Sequence, residues 1–344
     1  MRKLTLIGVI LLLFVISACS NQETNEKNDT TNEGGSSDYY PFTGEKAEGD
    51  TNRKAKAVMV SNSNGARPQT GLSQADIVFE MLAEGNVTRF MAIYQSEEPE
   101  IVGPVRSARE YFFTLADNYD ALYIYSGAAD FINDMIKKRD IEHIEGGLHD
   151  NDGHLIVRET FREAPHNMYL QFGAVDEVAE EKGYDITEEY EPLPFLDKDS
   201  LPEDLPYEEG SYAKIDYYGD EPVVEYKFDD DTEKYVRYND GEQTIELESE
   251  IPIEIDNVFI VESEHQVIDE ERRRDIDIDS GGNAVLLHKG KALELQWENK
   301  DGRIVPVLDG EEISFVPGKT WINFVEKDPI SDVQEQVTIG QNDS

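Results

Sequence analysis

ADIVFEMLAEGNVTRFMAIYQ (75–95) decides the fold. It divides into two apolar runs, ADIVFEMLAE (75–84) and TRFMAIYQ (88–95), with Gly85, Asn86 and Val87 between them. Short apolar runs rich in β-branched and aromatic residues, bounded by turn formers, read as buried strands. AVMVSN (57–62) and ALYIYSG (121–127) have the same character. SAREYFFTLADNY (107–119), ADFINDMIKKR (129–139) and FGAVDEVAEEKGY (172–184) carry helical spacing instead. Strands alternating with helices predict a layered α/β domain over residues 56–190.

Pro192, Pro194, Pro202 and Pro206 crowd the next stretch, and residues 191–210 read as a linker. Beyond it the apolar residues recur every second position, as in VVEYKFD, NVFIVES and ALELQW. This predicts a smaller β-rich domain over 211–330, followed by a polar tail at 331–344. The expected fold class is therefore α+β.

Upstream, Arg2 and Lys3 precede the apolar stretch Leu4 to Ile16, and Ile16-Ser17-Ala18-Cys19 has the form of a lipobox. The stretch is too short for a ~30 Å hydrocarbon core, which needs about 20 residues. Residues 1–18 read as a lipoprotein signal peptide, with Cys19 as the lipidation site. An uncleaved anchor and an ordinary secretory signal are the alternatives. Two acyl chains on Cys19, such as palmitate, would hold the protein on the extracytoplasmic face of the cell membrane. Residues 19–55, poor in apolar groups before Tyr39, read as a disordered tether, with DYYPFTG (38–44) able to dock. Cys19 is the only cysteine, so cysteine nucleophiles and disulfides are excluded from the mature chain.

Lys and Arg number 31 against 74 Asp and Glu, a formal charge of −43. Nucleic acid is therefore not an expected partner. Against such a background, any gathering of arginines is unusual.

One gathering lies in EIVGPVRSARE (100–110). Ser107 and Glu110 have capping-box spacing, which puts Arg106 beside a helix start and Arg109 in its first turn. Cations there oppose the helix dipole unless an anion offsets them. An external phosphate or carboxylate would do so; internal ion pairs with the chain's own carboxylates are the alternative. Asn62, Arg67, Thr88, Arg89, His166 and Asn167 join the candidate ligand-binding set, while Arg158 and Arg162 read as surface charges. Glu80 and Glu84 are candidate catalytic carboxylates. On one strand they would stand ~13 Å apart, too far for a glycosidase pair. Glu80 would then need another partner, such as Asp130.

His143, His149 and His154 match no zinc spacing. DIDIDSGG (275–282) has Ser280 and Leu286 where a calcium loop needs Gly and Glu, and reads as a strand. No phosphate loop, dinucleotide fingerprint or nucleophile elbow is present, so no metal or cofactor is expected.

YPFTGE (40–45), the block 58–94, VGPVRSAREYF (102–112) and APHNMY (164–169) resemble the N-terminal signature of the YerB-like lipoprotein family of Gram-positive bacteria. GKALELQW (290–297) and VPGKTWINFV (316–325) resemble its C-terminal signature. The resemblance implies two domains on a lipid anchor and supplies no reaction. The polar residues of these blocks, Gln69 among them, are expected to line one groove. The favoured function is binding of an anionic cell-envelope ligand through arginines. An envelope glycan or ester hydrolase using Glu80 or Glu84 is one alternative. A membrane-surface scaffold for a protein partner is the other.

Overall fold

Strands dominate the chain, and most of them join one 12-stranded sheet. The structure, a computed structural model, describes residues 38–197, 200–217, 222–327 and 337–342. The expected signal peptide, Cys19 and the tether up to residue 37 lie outside the described residues. Among the described residues no helix is long and apolar enough to cross a membrane.

The hairpin read from residues 75–95 forms as β2 (Ile77–Glu84) and β3 (Val87–Tyr94), antiparallel, with β1 (Lys56–Ser61) on the far side of β3. Leu122–Tyr125 and His143–Glu145 continue the sheet in parallel beyond β1. On the other side of β2 come Thr320–Glu326, Asn257–Ser263, Gly282–His288, Lys291–Lys300 and Arg303–Leu308. Thr320–Glu326 pairs in parallel with β2, from Ile77↔Thr320 to Glu80↔Asn323, and in parallel with Asn257–Ser263. One sheet therefore runs through both halves of the sequence.

Every residue of β1 is buried, because both faces of the sheet are covered. Val58, Val60, Val78, Leu82, Phe90 and Trp321 point to one face. There they meet a second sheet built on Tyr212–Asp216, Val223–Asp229 and Lys234–Asn239, through Ile215, Val224, Tyr226 and Tyr235. Met59, Phe79, Met81, Met91, Ile322 and Phe324 point to the opposite face. Two helices cover that face, α1 (Glu110–Asn118) with Tyr111, Phe112 and Leu115, and α2 (Asp130–Lys138) with Ile132 and Ile136. Each fully buried large apolar side chain contributes about 1.5–3 kcal/mol, so the two apolar layers hold the central sheet in place. A third helix, α3 (Val175–Lys182), adds Val175 and Val178 to the layer containing the second sheet.

Four local expectations are revised. The tether does not extend to residue 55: Phe42 is fully buried, its ring 4.9 Å from Tyr190 and 5.7 Å from Tyr119. An aromatic ring inside YPFTG supplies the apolar area that the preceding residues lack. The proline-rich stretch lies along the body rather than spanning a gap. Leu193 N–H bonds the Pro41 carbonyl, and Glu208–Glu209 pairs with Lys291 and Ala292. Within the polar tail, Val337–Gly340 adds a strand beside Tyr212–Ile215. Finally, no capping box forms at Ser107. Helix α1 starts at Glu110, and its N-cap, Arg109, makes no side-chain cap bond. The backbone before it has been drawn into the sheet.

Candidate functional site

Parallel strands β1 and Leu122–Tyr125 pair only from Lys56↔Leu122 to Val58↔Ile124. Beyond Val58 the two part, and residues 104–108 enter between them. Ser61 N–H bonds the Pro104 carbonyl and Arg106 N–H bonds the Met59 carbonyl, each at 2.9 Å. On the other side, Ser126 N–H bonds the Arg106 carbonyl and Ala108 N–H bonds the Gly127 carbonyl, each at 3.0 Å. Arg106 and Ser107 therefore lie on the segment that fills the gap between the carboxyl ends of two parallel strands, both of them partly exposed. Open α/β sheets bind ligands at such places.

Behind Arg106 sits a cluster built on Glu84. Arg89 Nη2 reaches Glu84 Oε1 at 2.6 Å, and Arg109 Nη2 binds the other carboxylate oxygen. The remaining donors fasten this cluster to the crevice backbone: Arg89 Nη1 bonds the Ser107 carbonyl at 2.9 Å, and Arg109 Nη1 the Ala108 carbonyl at 2.6 Å. Arg109 Nε is buried without a hydrogen-bond partner. Burial raises the Glu84 carboxyl, but Arg89 and Arg109 outweigh it and hold the group below the usual carboxylate range. Burial pushes Arg89 down to about 10, with Glu84 opposing and Arg109 and Arg106 adding to the shift. Two guanidiniums thus share one carboxylate, and Arg106 adds a third positive charge nearby.

Arg106 differs from its neighbours. It is half-buried, and among the described residues its guanidinium makes no hydrogen bond or ion pair. Burial lowers its proton affinity; Glu84 opposes and Arg109 adds.

Glu80 and Glu84 lie on opposite faces of the sheet. The β2–β3 register shifts between Leu82 and Glu84, a bulge that inserts Ala83 and turns Glu84 to the face carrying Arg89. Glu80 remains on the face toward the second sheet, with no exposure. Arg237 grips it with two bonds, Nη2 to Oε1 at 2.7 Å and Nε to Oε2 at 3.1 Å. Trp321 Nε1 and Thr88 Oγ1 add bonds at 3.0 and 2.9 Å. Asn62 Nδ2 bonds Thr88 Oγ1 and Asn239 Oδ1, at 2.7 and 2.8 Å. Arg67 bonds the Asn62 carbonyl and pairs with Asp240 at 3.0 Å; Gln69 bonds the Ser61 carbonyl at 3.0 Å. This network ties the two sheets together.

The expected groove is thus two structures. Glu84, Arg89, Arg106, Ser107 and Arg109 meet at the crevice, whereas Asn62, Arg67, Gln69, Glu80 and Thr88 belong to the joint between sheets. His166 flanks the crevice, its Nδ1 3.3 Å from Ser63 Oγ. Asn167 Oδ1 accepts a 2.8 Å bond from Arg158. Arg162, read as a surface charge, donates to the carbonyls of Ala66 and Pro68. Arg237 and Asn239 were missed, although the alternation in KYVRYN places both in phase with buried Tyr235. His143, His149 and His154 take separate partners: the Ile141 carbonyl, Asp152 and Glu177.

Comparison with known proteins agrees with this architecture. Residues 42–185 match the N-terminal domain of DUF3048, a protein family of unknown function, and residues 213–322 match its C-terminal domain. A relative named as a lipoprotein, YerB of Bacillus subtilis (strain 168), is 44% identical over 289 residues, covering 83% of this chain and 85% of YerB. The crystal structure of Bacillus subtilis YerB superposes with a TM-score of 0.79 at 41% identity, covering 88% of this chain and 99% of that one. The chain belongs to the YerB-like DUF3048 family.

Proposed function

We propose that this protein is a lipid-anchored binding protein of the extracytoplasmic membrane face, joined to lipid at Cys19. Its crevice holds an anionic group of a cell-envelope ligand, such as a phosphate or carboxylate. The observation that carries this reading is Arg106, a cation without a bonded partner among the described residues, in a chain of charge −43. Arg89 and Arg109 stand behind it with a single shared carboxylate. A ligand anion would give Arg106 the bidentate partner that guanidinium geometry suits.

Neither carboxylate favours the hydrolase alternative. Glu80 has both oxygens bonded and no exposure, and Glu84 is held ionised between two arginines, which suits neither to proton donation.

The test is thermal unfolding of the full chain against inorganic phosphate, muropeptides and glycerol-phosphate polymers. A ligand at 100 times its Kd stabilises by about 2.7 kcal/mol. The expected shift weakens with salt and disappears in Arg106→Ala. Absence of any shift overturns the reading and turns the search toward crosslinked protein partners.

A further inference from the structure

We propose that Ser63 and His166 form a nucleophile–base pair at the edge of the crevice, cleaving a carboxylic ester carried by an anionic molecule. The proposal rests on the anion reading of Arg106 for its choice of substrate.

Ser63 follows β1 at the turn into a short 3-10 helix, Asn64–Ala66. Its Oγ lies 3.3 Å from His166 Nδ1 and 3.0 Å from Ser61 Oγ. Ser61 is buried, whereas Ser63 and His166 are half-exposed, so a substrate reaches the outer hydroxyl and the ring. A hydroxyl within reach of an imidazole nitrogen is the arrangement that activates serine nucleophiles.

The turn and the histidine loop are fastened to each other. Arg162, four residues before His166, donates to the carbonyls of Ala66 and Pro68 in the turn that follows Ser63. His166 N–H bonds the Glu163 carbonyl at 2.9 Å. Gly65 lies against the ring: a Cβ there would stand 2.9 Å from His166 Cδ2 and 3.2 Å from Nε2. Any larger residue at 65 displaces the imidazole.

The surroundings keep the ring neutral and able to accept a proton, while the nearby cations oppose the imidazolium that results. Burial, then Arg106 and Arg162, hold the imidazole below the ordinary histidine range, so it is neutral at pH 7. With its proton on Nε2, Nδ1 accepts from Ser63. Arg106 follows Val105, whose N–H bonds the Met168 carbonyl at 2.7 Å two residues beyond His166, so an anionic group at Arg106 and an ester at Ser63 can belong to one molecule.

In the reaction, Ser63 Oγ attacks the ester carbonyl carbon and its proton passes to His166 Nδ1. The carbon–oxygen bond to the alcohol breaks, and His166 returns the proton to the departing alkoxide. Water, deprotonated by His166, then cleaves the acyl-Ser63 ester, releasing the acid and restoring the hydroxyl.

The experiment treats the full chain with a fluorophosphonate serine probe and maps the modified peptide by mass spectrometry. Hydrolysis of mono-p-nitrophenyl succinate is compared with that of p-nitrophenyl acetate. The expected result is one label, on Ser63, with faster hydrolysis of the anionic ester. Ser63→Ala abolishes both, His166→Gln slows both by about 100-fold, and Gly65→Ala slows both. Arg106→Ala keeps the label and loses the preference for the succinate. No label on wild-type Ser63, or equal ester hydrolysis by Ser63→Ala, overturns the proposal. A phosphate-induced thermal shift in that case leaves the anion crevice standing. Label on Ser63 without a phosphate shift or a succinate preference supports the nucleophile and overturns the anion reading.

Discussion

Glu80 and Arg237, 157 positions apart, form a two-pronged ion pair with no solvent exposure on either side chain. The Arg237 guanidinium also lies 5.1 Å from the Phe90 ring and 5.2 Å from that of Trp321. Burial alone would lower the proton affinity of Arg237, but Glu80 outweighs it and the net direction is upward. The pair bonds the large sheet to the small one.

Removing one member leaves a buried charge without its partner, a loss of about 3–5 kcal/mol. Glu80→Gln should therefore shift the urea midpoint strongly. The double variant Glu80→Met/Arg237→Met should cost less than the single substitution. A double variant at least as unstable as Glu80→Gln would show that the charge is not what the joint needs.

Arg106→Ala should leave stability within about 0.5 kcal/mol of wild type, since no bond among the described residues is lost, and the attraction to Glu84 that disappears is offset by the burial cost and the Arg109 repulsion that disappear with it. The same variant loses the phosphate-induced shift. A large destabilisation without ligand would mean that Arg106 is structural.

Glu84→Gln should act in two directions. Arg89, 2% exposed, loses its ion pair, costing about 2–4 kcal/mol. At the same time the crevice gains positive charge, so phosphate affinity measured by titration calorimetry at low salt should rise. Reduced affinity would show that Glu84 positions the arginines more than it neutralises them.

His288 sets a pH dependence of stability. It is fully buried; Nε2 lies 3.2 Å from the Tyr207 hydroxyl and Nδ1 has no partner. Burial, with Lys289 adding, pushes it down to about 4. A histidine depressed in the folded state is protonated first in the unfolded chain. Its contribution is therefore complete above about pH 6.5 and is lost as the pH falls toward 4. Between pH 6.5 and 5 the loss is about 2 kcal/mol. His265, pushed down to about 3, adds in the same direction and Asp76, pushed up to about 6, opposes it, so the pH slope of the denaturant midpoint should differ between wild type and His288→Gln by the His288 share alone. Parallel slopes would refute the assignment.

Gly44→Ala tests whether residues 38–55 belong to the fold. Gly44 has φ +64, and a Cβ there would lie 2.3 Å from Phe195 Cγ. The left-handed backbone alone costs about 1–3 kcal/mol for a side chain. A lowered melting temperature is expected; an unchanged one would mean that this segment is dispensable.

The strands and helices of the first half were legible because period and punctuation are local. AVMVSN, ADIVFEMLAE and TRFMAIYQ each became a strand within two residues of the expected bounds. Their assembly was not legible. TWINFV reads as one more strand of a β-rich half, and nothing in its alternation says that Ile77 lies beside Thr320. The bulge at Ala83 leaves no mark in the apolar pattern, yet it decides which carboxylate reaches the arginines. Arg106 and Arg109 were visible as misplaced cations, and Arg89 followed a strand start. Ser63 lay unnoticed, because its partner comes from a loop a hundred positions later.

The place of Thr320–Glu326 in the middle of the large sheet governs when the protein becomes competent. A chain delivered N-terminus first presents β2 with an open edge, its parallel neighbour still to come from the far end of the sequence. Domains generally complete themselves as they emerge; here the half that bears the crevice waits for the last stretch of chain to close it. A chain cut before Thr320 therefore keeps an unpaired β2 edge, and the proposed anion site would be tied to the presence of the C-terminal half.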